Sequence, residues 1–144
     1  MSKKNIYEVL EDFKKAKTKK DRIDVLKNND SWALRNVLIG TFHPNVEFLI
    51  KNVPEFKREK IPQGMSYNHM TDVLSKTYLF QKNNPKAPAA LTEKRRVELL
   101  IQILESLEEQ EADVFVGMLN KNLKVPHLTE ALVNEAFENL LPKS

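Results

Sequence analysis

The chain has no cysteine, only 3 glycines and no long apolar run in its 144 residues. Without cysteine there is no disulfide framework, no thiolate nucleophile and no cysteine-based zinc site, which fits a reducing compartment. Three glycines and 7 prolines are too few turn-formers for an all-β protein with its many tight connections. No apolar stretch approaches the ~20 residues that a membrane-spanning helix needs. The opening Met1-Ser2-Lys3-Lys4-Asn5 lacks the apolar core of a signal peptide. These absences lead us to expect a cytoplasmic protein with no membrane partner.

The vocabulary of catalysis is also thin. His43, His69 and His127 stand apart, and none forms the paired spacing of a metal site. No phosphate-binding glycine loop, dinucleotide fingerprint or nucleophile elbow occurs. The acids lie on charged helix faces, where carboxylates are ordinarily solvated rather than tuned for proton transfer. The expectation is a binding module, not an enzyme, with neither cofactor nor metal.

What is present is helical periodicity. The hydrophobic fraction is 41% and the charged fraction 30%, and apolar residues recur every three or four positions. The reading is an all-α, single compact bundle of seven or eight short helices over residues 1–144. Ile6, Val9, Leu10 and Phe13 form the buried stripe of a first helix. Thr18 followed by Asp21 caps a second that buries Ile23 and Leu26, with Val25 at the margin of its stripe. Residues 28–31 break the pattern and lead to a third helix with Leu34, Val37 and Leu38 inside. Trp32 reads there as a core anchor rather than a base-stacking platform. Pro44 suits the first turn of a further short helix through Val46, Phe48, Leu49 and Ile50.

After a loop at residues 55–64, Ser66 or Asn68 opens a helix through Met70, Val73, Leu74, Tyr78 and Leu79. Residues 81–91 read as a mobile loop carrying Lys82 and Lys86. Thr92 then caps a long helix from Glu93 to Glu109, whose first turn is crowded by Lys94, Arg95 and Arg96 against the helix dipole. Val114, Phe115, Met118 and Leu119 carry the next helix, and Leu132, Val133, Ala136 and Phe137 the last.

Two places gather positive charge on this frame. Lys14, Lys15, Lys17, Lys19 and Lys20 crowd the corner between the first two helices. Lys121 and Lys124 form a turn before Thr129, which opens the last helix with Glu130 just inside it. A helix start offers unpaired N–H groups and partial positive charge, which suits a phosphate. An ordinary capped connection with solvated lysines uses the same residues. The net charge of +3 permits nucleic-acid binding without requiring it.

An ordered set of landmarks adds to this reading. It runs from Ile6 and Leu10-Glu11 through the basic corner to Ile23, Leu26-Lys27-Asn28, Leu34-Arg35 and Val37. Phe48, Ile50-Lys51, Pro54 and Gly64-Met65 follow, then Thr71-Asp72-Val73-Leu74, Met118 and Asn122-Leu123. Thr129, Asn134, Phe137 and Leu140-Leu141-Pro142 close the set. In these residues the chain resembles the N-terminal DNA-binding domain of bacteriophage ATP-dependent DNA ligases of the T-even type. That resemblance implies an all-α domain gripping duplex DNA, intact or nicked, across the minor groove through its phosphates. It makes Lys121, Lys124 and Thr129 the first phosphate-contact candidates and the lysines of the 14–20 corner the next.

There are two departures from the family. Val125-Pro126-His127-Leu128 replaces a glycine-containing turn that lets backbone approach phosphate. No Lys-x-Asp-Gly motif of the nucleotidyltransferase core occurs, so the chain is not itself a ligase. The expected function is stand-alone DNA binding in phage replication, repair or recombination, in the host cytoplasm. The alternative is a helical adaptor for a replication or transcription protein, for which the acids between Glu105 and Asp113 would serve.

Overall fold

The hydrophobic stripes close on one another around a helix near the C-terminus. A computed structural model of the chain describes residues 6–44, 46–50, 53, 56, 70–82, 86, 90–138 and 140–141. These residues form seven α-helices: α1 (Ile6–Lys15), α2 (Lys19–Asn28), α3 (Trp32–Phe42), α4 (Met70–Leu74), α5 (Glu93–Ser106), α6 (Glu109–Leu119) and α7 (Glu130–Ala136). A 3₁₀ turn, Thr77–Leu79, follows α4. The architecture is all-α, and no sheet occurs among the described residues. The α6 helix is the hub, packing against α1, α3 and α5, while α2 lies between α1 and α7.

Each helix start has a local cause. Thr18, Ser31, Thr92 and Thr129 are N-caps in extended conformation, and their hydroxyls accept from the N–H groups of Asp21, Leu34, Arg95 and Leu132. Each cap satisfies one otherwise orphaned donor and contributes about 1 kcal/mol. The apolar stripes then bury the expected side chains, including Phe13, Leu26, Leu34, Phe115 and Val133, and Leu100 and Leu104 of α5 join them. Gly40 lets α3 and α6 approach closely, since a Cβ there would stand 2.6 Å from Met118 Sδ. Phe80 meets the edge of Phe115 with ring centres 6.4 Å apart.

The structure corrects several expectations. Trp32 is 52% exposed and is not a core anchor. It is the first residue of α3, and the buried Ala33, Leu34, Val37, Leu38 and Thr41 turn their stripe roughly away from it. Residues 46–50 are not helical. Leu49 N–H donates to Phe80 O and Lys82 N–H to Glu47 O, both at 2.8 Å, around an antiparallel bridge between Phe48 and Gln81. Phe48 and Ile50 face the core while Leu49 faces out, the period-2 alternation of extended chain.

The helix through Tyr78 and Leu79 is broken after Leu74. There Ser75 Oγ donates to Asp72 O and Thr77 Oγ1 to Leu74 O, so side chains compete with the backbone ladder. The long helix stops at Ser106 rather than Glu109, with Ser106 Oγ donating to Ile103 O at 2.6 Å. The extended, buried Leu107 then turns the chain back into α6.

The acids of this joint are not all solvated. Glu108 is 4% and Glu111 is 5% exposed. The loop at residues 55–64 and the helix start at Ser66 or Asn68 lie almost wholly or wholly outside the described residues. So do Lys51, Pro54, His69, Pro142 and most of the 81–91 loop; its first residues, Gln81 and Lys82, are tied to the 47–48 segment.

Candidate nucleic-acid interface

The turn after α6 is built from its backbone. Lys121 adopts φ 59°, its N–H donates to Met118 O at 3.0 Å, and Asn122 N–H donates to Gly117 O at 2.8 Å. This pair of bonds is the Schellman motif, in which the left-handed position is normally glycine. Here a lysine holds it. Gly117 supplies the space, since a Cβ there would lie 3.0 Å from Asn122 O.

Two further left-handed residues follow. Lys124 has φ 58°, and its N–H donates to Asn122 Oδ1 at 2.9 Å. His127 has φ 68° in a Val125–Leu128 turn closed by Leu128 N–H to Val125 O at 3.3 Å. Proline second and positive φ third is the type II pattern, which again prefers glycine at the third place. Among the described residues these three are the non-glycine positions with positive φ. All are basic residue types, and all lie in one seven-residue span. Left-handed backbone costs about 1–2 kcal/mol per non-glycine residue, and such strain concentrates at working surfaces.

The side chains of the turn differ in their freedom. Lys121 Nζ donates to His43 O at 3.1 Å and lies 5.7 Å from the centre of the Phe48 ring. It thereby caps the C-terminal end of α3. Partial burial lowers its pKa from the ordinary lysine value, against the pull of Glu47. One ammonium N–H is thus committed inward, leaving the others for a ligand. Lys124 is exposed, and no partner for its ammonium occurs among the described residues. Thr129 is exposed and caps α7 through its oxygen, which leaves its hydroxyl proton able to donate.

One lysine of the other basic segment, Lys14, faces the same groove as this turn. The face of α1 and the face of α6 enclose a groove of about 710 Å³ that ends on the turn. Lys14 of α1 and Lys124 of the turn both line it, so residues 110 positions apart in sequence share one concavity. Lys14 pairs with Glu11 at 3.1 Å, and Lys19 reaches across to Glu135 of α7 at 2.8 Å. Both pairs are exposed and contribute little to stability. Lys15, Lys17 and Lys20 are exposed at the corner, with no ion pair among the described residues. Sequence reasoning missed Gly117 and Tyr7 as parts of this site. The spacing from Gly117 to the 121–124 turn was the available signal.

Elsewhere, Asp30 grips Arg35 at 2.6 and 2.8 Å, which holds the Asp30 carboxyl below its usual range. The same guanidinium lies 5.0 Å from the centre of the Phe137 ring, fastening α3 to the end of α7. Among the described residues no cluster of metal-ligating side chains occurs, and no helix is long and apolar enough to cross a membrane.

One family model matches residues 9–125, most of α1 through the basic turn. The chain belongs to DUF6433, a family of unknown function. The DUF6433 match ends at Val125, so it takes in Lys14–Lys20, Lys121 and Lys124 and leaves out His127, Thr129 and α7. No curated protein matches the chain. A solved structure titled Pmar-Lig_PreS3, ligase-related by that title, has a similar fold with a TM-score of 0.70 at 18% identity. The similarity covers 91% of this chain and 29% of that one. The DUF6433 chain therefore spans under a third of the length of that neighbour, and the likeness is one of fold.

Proposed function

We propose that the protein is a non-catalytic DNA-binding protein that grips the duplex backbone with little sequence preference. The setting we infer is phage DNA replication, repair or recombination. The observation that carries this reading is that Lys14, at the start of the 14–20 corner, and Lys124 of the turn line one groove. Fold similarity to a ligase-related structure supports it, as does the sequence resemblance to the DNA-binding domain of phage ligases. In this reading Lys124, Lys14, Lys15, Lys17 and Lys20 neutralise phosphates, Lys19 joins them from its pair with Glu135, and Thr129 donates its hydroxyl. Lys121 holds the turn against α3 and offers its remaining N–H groups outward. Phosphate contacts without base readout make specificity a matter of shape or of a nick.

Charge reversal tests this. Lys124→Glu combined with Lys17→Glu is expected to weaken duplex binding at least about tenfold, since each phosphate contact carries electrostatic free energy. The unfolding midpoint should stay unchanged, because both side chains are exposed. Undiminished binding by the double variant would contradict the reading.

One observation favours a second reading, a helical adaptor for a replication or transcription protein. Trp32 is 52% exposed, and tryptophan is enriched at the buried centres of protein–protein interfaces. On that reading Trp32→Ala abolishes capture of the partner, and the lysine reversals do not.

A further inference from the structure

We propose that the groove between α1 and α6 seats a single unpaired nucleotide at a break or distortion in the duplex. This rests on the DNA-backbone reading above and adds to it a ligand for the concavity itself. Its volume of about 710 Å³ lies in the range of sites that enclose a small molecule, and it is too large for a lone phosphate.

The lining is divided in a way that suits a nucleotide. Leu10, Val114 and Leu123 give apolar wall, and Tyr7 gives an aromatic ring. A base face can lie on such surfaces, since every base has a π-face. Gln110 and Asn120 bring amide groups into the same space, and amides pair with the donor and acceptor edge of an unstacked base. Lys14 and Lys124 supply positive charge where α1 and the turn meet.

The acids decide how much of the nucleic acid enters. Glu11 and Asp113 also line the groove. Glu11 is paired with Lys14 at 3.1 Å, so the groove wall of α1 carries no net positive charge to draw in a continuous phosphodiester, while carboxylate oxygens can accept from the N–H groups of a neutral base. The charge pattern therefore fits one base and sugar inside with the phosphate held at the lysines. The close packing of the turn on Gly117 fixes this end of the groove, since any side chain at 117 would push Asn122 and Leu123 away.

The test compares a flush nicked duplex with the same duplex carrying one unpaired 2-aminopurine nucleotide at the nick. Fluorescence anisotropy reads affinity, and the 2-aminopurine emission reads the surroundings of the base. The intact protein is expected to bind the unpaired form about tenfold tighter, with altered emission. Gln110→Trp fills the groove from an exposed position. It should erase the preference while leaving affinity for the flush duplex unchanged, and Asn120→Trp should act likewise from the end of α6. Equal affinity for the two DNAs, or a preference that survives both variants, would overturn the inference while leaving backbone binding intact. Failure to bind either DNA would remove the backbone reading, and this inference with it.

Discussion

His127 is the residue at which strain and solvent exposure separate most cleanly. Its side chain is exposed and its backbone sits at φ 68°, so glycine there would relieve the left-handed penalty without removing a buried contact. Allowing for the greater chain entropy of glycine, His127→Gly should stabilise by about 1 kcal/mol and raise Tm by about 2–4 °C. Lys121→Gly relieves similar strain but loses the bond to His43 O and the contact with Phe48. It should show no gain. Thermal unfolding of the two variants side by side distinguishes a strained residue from a strained residue that also fastens two helices.

Glu111 makes a second prediction at the residue scale. Its Oε1 accepts from Tyr7 N–H at 3.5 Å, its carboxyl also lies against the Ile6 N–H and near Glu108, and its Oε2 is buried with no hydrogen-bond partner among the described residues. Burial raises its pKa from 4.5 to about 7. Between those values the folded state binds more protons than the unfolded state, so stability falls as pH rises through this window. The loss should be of order 1–3 kcal/mol by pH 8, read from urea midpoints. Glu111→Gln should be nearly flat over the same range and more stable than the parent at pH 8.

At the scale of elements, α6 is the helix on which the others depend. Phe115 is fully buried against Phe80, so Phe115→Ala should cost about 3–5 kcal/mol by denaturant unfolding. Helices with a clear 3.6-residue stripe, such as α1, or a hydroxyl cap at the start, such as α2, α3, α5 and α7, were legible in the sequence. Trp32 was misread because its size argued for burial, whereas its place outside the Leu34, Val37, Leu38 stripe argued against it. The 46–50 segment was misread because Pro44 and several apolar residues imitate a helix start. Its Val46, Phe48, Ile50 alternation is the period of extended chain, and long-range pairing with residues 80–82 and burial of Phe48 and Ile50 stabilise it. The burial of Glu111 was not legible at all, since nothing local shows which helix will cover an acid.

At the scale of the molecule, both basic segments could be named from sequence, but the sharing of one groove by Lys14 and Lys124 could not. It depends on α1 crossing α6 and α2 crossing α7, contacts between residues about a hundred positions apart. The three left-handed residues were equally hidden, because lysine and histidine do not signal positive φ as glycine does. Together these features bring Lys14 and Lys124 to one groove in a chain whose net charge is only +3. The molecule should therefore bind duplex DNA through a handful of phosphates.

The direct measurement is the affinity of the protein for a duplex oligonucleotide, by fluorescence anisotropy, across a series of salt concentrations. With the lysines of the corner and turn contributing, log Kd against log salt should change with a slope of about 3–5, near 0.9 for each phosphate neutralised. Lys124→Glu with Lys17→Glu should reduce that slope by about 2. A protein that fails to bind duplex even at low salt, or whose affinity ignores salt, would contradict the account.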